Sequence, residues 1–92
     1  MTFEIVYIGA KWCGTCKVIK PATLELGKTF GITVIVKDFD DDLTETEKET
    51  ITKVPTLRIL KGNVQIQEWN VKQVESLKAW LTENISLTSE DF

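Results

Sequence analysis

The amino-acid sequence predicts a single α/β domain in which a four-stranded mixed sheet is flanked by three helices. Its 92 residues suffice for one small hydrophobic core. Strand-like and helix-like segments alternate over the first half of the chain, and two strand-like segments follow one another before a last helix. Hydrophobic residues make up 42% and charged residues 27% of the chain, which argues against disorder, collagen or a coiled coil.

Two strands and one helix are predicted in the first half. Residues 3–8 form a short apolar run with β-branched side chains, typical of a buried strand. Apolar side chains then recur four residues apart, which predicts a helix with one buried stripe, ended by Gly31. The stripe consists of Val18, Ala22, Leu26 and Phe30. Residues 32–37 are the next predicted strand, parallel to the first because a helix connects the two.

A short helix and a β-hairpin are predicted next. Residues 42–53 are acidic and weakly apolar, and Asp42 and Glu45 have the spacing of a capping box, which predicts a short exposed helix. Residues 56–60 and 64–69 have strand character and are separated by a tight turn that contains Gly and Asn. We therefore expect these two strands to pair antiparallel.

A last helix completes the predicted order βαβαββα. Its apolar stripe consists of Val74, Leu77 and Leu81. Asn70 precedes the stripe and is the predicted N-cap. We expect the folded domain to cover residues 1–85 and the tail at 86–92 to be frayed.

Charge and composition exclude several classes of function. Eleven Lys and Arg residues oppose fourteen Asp and Glu residues, so the net charge is −3 and the pI is about 4.9. Because no cationic surface dominates, we expect neither nucleic acid nor a membrane as a partner. The chain has no histidine, which excludes Ser–His–Asp and Cys–His nucleophiles and histidine-based zinc hydrolases.

Cysteine usage and targeting signals predict a cytoplasmic protein. Two cysteines are too few for the disulfide framework of a small secreted domain. No apolar stretch reaches the ~20 residues that a membrane helix needs. The first residues lack the basic start and the long apolar run of a signal peptide.

The two cysteines, Cys13 and Cys16, lie where the first strand passes into the first helix. Residues three apart in a helical turn have Cβ atoms roughly 5–6 Å apart, whereas a disulfide needs about 3.8 Å. A slightly tightened turn can therefore close or open the bond with little backbone motion. Because so short a loop gains little chain-entropy stabilisation from a cross-link, the pair suits redox switching better than structural stapling.

The position at a helix N-terminus predicts distinct roles for the two sulfurs. Free N–H groups and the helix dipole favour an anion there, so we expect the pKa of the Cys13 thiol to fall from ~8.5 toward ~7. Lys11 and Lys17 add positive charge nearby. Cys16 lies one turn further in and is expected to be more buried. Cys13 is therefore the predicted nucleophile and Cys16 the resolving thiol.

Two other interpretations of the cysteine pair remain open. Cys-x-x-Cys often supplies half of a zinc site, but the chain has no second pair, so zinc would need a dimer or carboxylate ligands. The pair could also be inert and buried, although Trp12 and Gly14 beside it at a strand–helix junction argue against this. We predict no metal and no bound cofactor.

Several motifs together resemble the thioredoxin family. Residues 12–17 (Trp-Cys-Gly-Thr-Cys-Lys) are similar to the active-site sequence of that family. Pro21 matches a proline that kinks the family's active-site helix, and residues 54–56 (Val-Pro-Thr) resemble its cis-proline motif. These matches are collinear over about residues 3–81, which is most of the chain.

The resemblance implies a minimal, glutaredoxin-sized thioredoxin-like fold with a substrate groove beside the cysteines. The implied catalytic residues are Cys13 and Cys16, and Pro21 is structural. The residues implied around the groove are Trp12, Gly14, Thr15, Lys17, Val54, Pro55, Thr56, Trp69 and Asn70. For Trp69 a place in the core is the commoner alternative. A cis Val54–Pro55 bond would leave backbone near Cys13 free to pair with an extended substrate.

Some positions depart from the family pattern. Thr15 replaces a proline, so we expect a redox potential somewhat above the ~−270 mV of thioredoxin. Tyr7 stands where the family has a buried carboxylate and Val36 where it has a lysine. Water, Tyr7 or another group must then move the proton of the resolving thiol. Asn70 or Val71 stands where the family often has glycine, which we expect to narrow the range of substrates.

The activity implied by the resemblance is that of a protein-disulfide reductase, an electron carrier in cell redox homeostasis. We expect a monomer that reduces disulfide-containing proteins. Because the sequence has no phosphate-binding loop and no dinucleotide fingerprint, electrons must come from a separate enzyme of the thioredoxin-reductase type or from a small thiol.

Two alternative functions stay open. One is a glutaredoxin-like protein reduced by glutathione. Lys53 before Val54-Pro55 argues against it, because glutaredoxins usually have threonine there, as does the lack of a Gly-Gly pair after the last two strands. The other is a non-enzymatic thioredoxin-like subunit that binds a partner in its groove.

Overall fold

The computed structural model of the chain describes residues 3–70 and 74–85, and its elements follow the predicted order βαβαββα. The strands are β1 (Phe3–Gly9), β2 (Thr33–Asp38), β3 (Thr56–Lys61) and β4 (Val64–Asn70). The helices are α1 (Cys16–Phe30), α2 (Glu45–Thr50) and α3 (Glu75–Asn84). None of these helices is long and apolar enough to cross a membrane. The tail predicted to fray, 86–92, lies outside the described residues.

The strands form one mixed sheet in the order β2-β1-β3-β4, which confirms the predicted fold class. β1 runs parallel to β2, with Tyr7 beside Val36, and antiparallel to β3. β3 and β4 form the predicted antiparallel hairpin. Gly62 and Asn63 in its turn both have positive φ, 58° and 69°, as a two-residue type I′ turn requires.

Apolar side chains cover both faces of the sheet because successive residues of a strand point to opposite sides. On one face, Ile5 of β1 and Leu77 of α3 belong to the larger core cluster and have no exposed surface. On the other face, Val6 and Ile8 pack with Ile51, the residue that follows α2. The carboxyl end of β1 is thereby held between two cores, immediately before the cysteines.

Helix α1 presents a different face to the sheet from the predicted one. Its buried residues are Cys16, Ile19, Thr23 and Gly27. Val18, predicted in the buried stripe, has 66% of its surface exposed, and the other three residues of that stripe are half-buried. A Cβ added at Gly27 would collide with the Val34 side chain of β2. Small residues on the buried face let α1 approach the sheet closely. The prediction relied on the spacing of large apolar side chains, so it could not identify a face made of small residues.

The N-terminus of α2 is capped two residues later than predicted. Thr44 is the N-cap, and its hydroxyl accepts a hydrogen bond from the Glu47 N–H at 3.1 Å. The Glu47 carboxylate accepts in return from the Thr44 N–H at 2.9 Å. Thr44 and Glu47 have the same spacing as Asp42 and Glu45, so the spacing alone could not choose between the two pairs.

The predicted cap of α3 is wrong as well. Asn70 lies at the end of β4, where its amide donates to the Thr56 hydroxyl at 2.7 Å. Val74 occupies the N-cap position and makes no side-chain capping bond. Leu77 and Leu81 of the predicted stripe are both fully buried. Packing of these two leucines therefore holds α3 on the sheet.

A buried hydroxyl on α1 provides a test of this packing. Thr23 is fully buried, and its hydroxyl has no hydrogen-bond partner in the described part of the chain. Because an unsatisfied buried hydroxyl is costly, Thr23→Val should raise the free energy of unfolding by about 1 kcal/mol, measured by urea unfolding. Thr29→Val, on the exposed side of the same helix, is the control and should change it by less than ~0.5 kcal/mol. A less stable Thr23→Val protein would contradict this expectation.

Candidate active site

The candidate active site lies where β1 passes into α1. There Cys13 and Cys16 form a disulfide, with their Cα atoms 5.3 Å apart. Both residues are buried, with 7% of Cys13 and 3% of Cys16 exposed. The two cysteines are thus close enough to bridge within one tight turn, and Cys13 is the slightly more accessible residue.

A sulfur replaces the usual capping oxygen at the start of α1. The helix begins at Cys16, and its N-cap residue Thr15 makes no side-chain capping bond. The Cys13 Sγ instead accepts a hydrogen bond from the Cys16 N–H at 3.1 Å. Free N–H groups at a helix start, together with the helix dipole, stabilise negative charge. After the disulfide is reduced, the Cys16 N–H is placed to donate a hydrogen bond to the Cys13 thiolate.

The two lysines beside the cysteines differ in their surroundings. Lys11 Nζ lies 3.2 Å from Asp41 Oδ2. This hydrogen bond and the charges of Asp41 and Asp38 raise the pKa of Lys11. Lys17 is exposed and makes no ion pair within residues 3–70 and 74–85. Lys17 is therefore the better source of uncompensated positive charge near the disulfide.

The surface at the cysteine pair is open at Gly14, and the residue before the pair, Trp12, presents its indole to solvent. A Cβ added at Gly14 would meet no atom within 4 Å. Trp12 is 67% exposed, yet its Nε1 donates to Asp40 Oδ2 at 2.9 Å. The Asp40 N–H donates in turn to Asp38 Oδ1 at 2.9 Å. Trp12 is thus a solvent-facing side chain that the loop after β2 holds in place.

The segment Val54-Pro55-Thr56 lies beside the cysteines, as the family resemblance implies. The Val54–Pro55 bond is cis, as expected. The Val54 carbonyl oxygen lies 3.8 Å from Cys13 Sγ, although the two residues are 41 positions apart in sequence. The fold thus brings the two motifs together at one site.

A hydrogen-bond network holds this segment in place. The buried Thr56 hydroxyl donates to the Lys53 carbonyl at 2.6 Å. Asn70 Nδ2 donates to Thr56 Oγ1 at 2.7 Å and reaches the Lys53 carbonyl at 3.5 Å. Asn70 therefore braces the backbone beside Cys13, a role that its sequence position did not reveal. Its effect on substrate range stays a prediction, and Val71 lies outside the described residues.

Trp69 and Pro21 belong to the scaffold around the site. Trp69 is half-buried and packs edge-on against Trp80 with ring centroids 6.4 Å apart, next to the larger core cluster. This contact favours the core interpretation of Trp69, and a role in the groove wall stays a prediction. Pro21 lies inside α1, where it removes one backbone donor from the helix below the cysteines.

Tyr7 makes a contact with the site that the sequence did not reveal. Only 3% of Tyr7 is exposed, and its hydroxyl donates to the Cys16 carbonyl at 3.2 Å. A Cβ added at Gly9 would collide with the Tyr7 hydroxyl. Gly9 is therefore the one feature of the sequence that signals this position of the Tyr7 side chain. An open cleft of about 470 Å³ adjoins the contact, and Cys16 and Val36 help to line it. The cleft is open to solvent and has Cys16 among its lining residues.

The ionisation of Tyr7 can be measured directly because the chain has one tyrosine. Burial, and then the charge of Asp38, raise the pKa of Tyr7 above its ordinary value of 10.0. We expect phenolate absorption to appear at higher pH in the folded protein than in the urea-unfolded chain. The stability that neutral Tyr7 contributes is present below the unfolded value and is lost as the pH rises through the folded pKa. Coincident titrations of the two states would contradict this.

Metal binding has little support in the described part of the chain. Across residues 3–70 and 74–85, no three His, Cys, Asp or Glu side chains are grouped closely enough to hold a metal ion. The disulfide also occupies the two thiols that a zinc site would use. The expected lack of a metal or cofactor stays a prediction.

Comparisons with known proteins agree with the resemblance carried by these motifs. The Thioredoxin family profile matches residues 2–83. Thioredoxin 1 of Plasmodium falciparum (isolate 3D7) is 41% identical over 63 residues, which are 67% of this chain and 61% of that protein. Mitochondrial thioredoxin O1 of Arabidopsis thaliana is 36% identical over 78 residues, 82% of this chain and 40% of that protein. The chain therefore spans less than two thirds of the length of these relatives.

A solved structure gives the same picture in three dimensions. The solution structure of oxidised thioredoxin from Plasmodium falciparum superposes with a TM-score of 0.73 and 34% sequence identity. The superposition covers 91% of this chain and 82% of that one. The likeness thus extends over nearly the whole of the chain.

Proposed function

Because this chain belongs to the thioredoxin family, we propose that it is a thiol–disulfide oxidoreductase that reduces disulfides in other proteins. The observation that supports this most is the Cys13–Cys16 bridge at the start of α1, where the Cys16 N–H donates to Cys13 Sγ. A dithiol in this position can open and close, and in the open, reduced form one of its sulfurs is a reactive thiolate. Cys13 is the nucleophile and Cys16 the resolving thiol.

The reaction consists of two thiol–disulfide exchanges. The Cys13 thiolate attacks one sulfur of the substrate disulfide, whose S–S bond breaks, and the departing sulfur takes up a proton. Cys16 then loses its proton and attacks Cys13 Sγ, which releases the second substrate sulfur as a thiol. Two electrons pass to the substrate, and the protein is left with its Cys13–Cys16 disulfide.

The second exchange needs little movement of the backbone. The 5.3 Å between the two Cα atoms lies within the roughly 4.4–6.8 Å that disulfides span. The proton of Cys16 leaves through water in the adjoining cleft. Tyr7 is a positioning residue in this scheme and not the base, because its hydroxyl proton is donated to the Cys16 carbonyl and burial raises its pKa.

Substrate recognition relies on backbone beside the nucleophile. The Val54 carbonyl, 3.8 Å from Cys13 Sγ, can accept a hydrogen bond from an extended substrate segment. Main-chain pairing of this kind makes small demands on substrate sequence, which suits a reductase of many proteins. Thr56 and Asn70 support this role because their hydrogen bonds fix the preceding carbonyl of Lys53.

The setting of the reaction is also part of the proposal. The protein acts as a cytoplasmic monomer and receives its electrons from a separate enzyme of the thioredoxin-reductase type. The low cysteine count fits a reducing compartment. The lack of a dinucleotide fingerprint in the sequence supports a separate electron donor.

Reduction of insulin disulfides tests the activity. With dithiothreitol as electron source, the protein should accelerate insulin reduction well above the rate of dithiothreitol alone. No acceleration would overturn the proposal. The assay is then repeated with NADPH and thioredoxin reductase, or with glutathione, in place of dithiothreitol. We expect turnover with the reductase, whereas turnover with glutathione alone would favour the glutaredoxin-like alternative.

A further inference from the structure

The cleft beside Tyr7 carries positive charge in a protein that is acidic as a whole. It has a volume of about 470 Å³ and is open to solvent. Its charged lining residues are Lys11, Lys17, Lys20, Lys37, Asp38 and Asp42. Four positive and two negative side chains leave a formal charge of +2 there, whereas the whole chain carries −3. The cleft is therefore a local site of attraction for anions.

The two aspartates of the cleft hold the loop after β2 together. Asp38 Oδ1 accepts hydrogen bonds from the N–H groups of Asp40 and Asp41 at 2.9 and 3.2 Å. Asp42 Oδ2 accepts from the Asp38 N–H at 2.7 Å. Because backbone donors partly satisfy both carboxylates, the aspartates offset the positive charge of the cleft less than free carboxylates would.

Lys17 and Lys20 are the two lysines of the cleft that have no acidic partner. The other two form ion pairs, Lys11 with Asp41 at 3.2 Å and Lys37 with Glu47 at 3.6 Å. Lys17 and Lys20 are exposed and form no ion pair in the part of the chain that the structure describes. They are three residues apart on α1, so their Cβ atoms are about 5–6 Å apart and their charges repel. An anion that binds both lysines removes this repulsion.

This pair of lysines lies close to the reacting sulfurs. Cys16 lines the same cleft and precedes Lys20 by four residues, so the two side chains share one face of α1. Cys16 is bonded to Cys13, whose sulfur holds the substrate during the exchange. An extended segment advances about 3.3–3.6 Å per residue, so substrate residues two to four positions from the attacked cysteine lie about 7–14 Å from it. Side chains at that distance can reach Lys17 and Lys20.

We propose that Lys17 and Lys20 bind an acidic side chain of the substrate protein, two to four residues away from the cysteine that Cys13 attacks. The inference rests on the proposed function. The occupant is part of the substrate because the cleft adjoins the disulfide that is exchanged, and it is a carboxylate because the two unpaired charges are positive. A single carboxylate fills a small part of the cleft, so water keeps its access. Complementary charges of this kind raise association rates and select partners, so this reductase favours disulfides that have Asp or Glu nearby.

The test uses disulfide-linked dimers of short peptides that each contain one cysteine. Glutamate, glutamine or lysine is placed in turn at each position two to four residues from that cysteine. The second-order rate constant for oxidation of the reduced protein is measured for each dimer at low salt. At one position or more, glutamate should exceed glutamine by about 3-fold, the effect of an exposed ion pair, and lysine should be slower than glutamine. In 1 M sodium chloride, where the Debye length is about 3 Å, the three rate constants should converge.

A charge reversal in the cleft separates binding there from the net charge of the protein. Lys20 lines the cleft, so Lys20→Glu should bring the glutamate-to-glutamine ratio to one or below. Lys28→Glu, on an exposed residue in the last turn of α1 that does not line the cleft, changes the net charge equally and should keep the ratio of the unchanged protein. Because each ratio compares two peptides on one protein, a change in the reactivity of Cys13 cancels. Circular dichroism checks that both variants are folded.

The possible outcomes separate the two proposals. If no peptide dimer oxidises the protein faster than it would a free thiol, the proposed function fails. Equal rate constants for glutamate and glutamine peptides overturn the inference about Lys17 and Lys20 and leave the function intact. A glutamate preference that persists in 1 M sodium chloride, survives Lys20→Glu, or is lost equally in Lys28→Glu also overturns the inference.

Discussion

A Cys16→Ser variant is expected to stop after the first exchange and to accumulate as a mixed disulfide with its substrate. The remaining Cys13 thiolate can still attack, but serine cannot displace the substrate sulfur from Cys13 Sγ. A peptide dimer linked by one disulfide is a suitable probe. Mass spectrometry should find one peptide attached to each protein molecule at Cys13, and insulin reduction should fall to the dithiothreitol background.

Cys13→Ser is the matched variant for this experiment. It should neither reduce insulin nor retain peptide, because Cys16 lies in the first turn of α1 with 3% of its surface exposed. Both variants lose the disulfide. They differ only in which of the two sulfurs remains. Trapping on Cys16 that is as fast as trapping on Cys13 would contradict the assigned roles.

Two neighbouring residues of α1 should differ sharply in their effect on stability. Ile19 is 1% exposed and faces the sheet, whereas Val18 is 66% exposed. Ile19→Ala deletes buried methylenes and should lower the free energy of unfolding by about 2–5 kcal/mol. Val18→Ala removes exposed atoms and introduces alanine, the residue with the highest helix propensity. It should therefore change the free energy of unfolding by less than ~0.5 kcal/mol.

Urea unfolding of the two oxidised variants measures this difference. For a domain of this size, each kcal/mol also corresponds to roughly 4–8 °C in melting temperature. The two losses show which face of α1 meets the sheet, and this orientation sets the start of α1, with Cys16, beyond the carboxyl end of β1. Equal losses, or a larger loss for Val18→Ala, would mean that the helix is rotated toward the face that the large apolar residues suggest.

The strands and the cysteine pair could be predicted because their signals are local. The apolar run 3–8 and the turn at Gly62-Asn63 each depend on neighbouring residues. The spacing of Cys13 and Cys16 after a strand likewise predicted a turn in which the two cysteines can form a disulfide. The position of Val54 beside Cys13 was predicted through the family resemblance, and no local pattern would have supplied it.

The features that could not be predicted from the sequence depend on tertiary packing. The buried face of α1 contains Thr23 and Gly27, whose small size matters because of the close approach to β2. The Tyr7 hydroxyl meets the Cys16 carbonyl through the path of the chain from β1 into α1. Asn70 has a polar side chain suited to a helix N-cap. In the structure its amide instead donates a hydrogen bond to Thr56 on the neighbouring strand. Spacing rules do not carry information about such contacts between elements.

The Cys16 N–H, which donates to Cys13 Sγ, and the dipole of α1 are expected to make the Cys13 sulfur a better anion than a free thiol. Alkylation of the reduced protein by iodoacetamide, followed by mass spectrometry as a function of pH, tests this most directly. Cys13 is expected to be modified first, with a midpoint pH clearly below the ~8.5 of a free thiol, while Cys16 stays protected. Modification of both sulfurs together, with the midpoint of a free thiol, would contradict it.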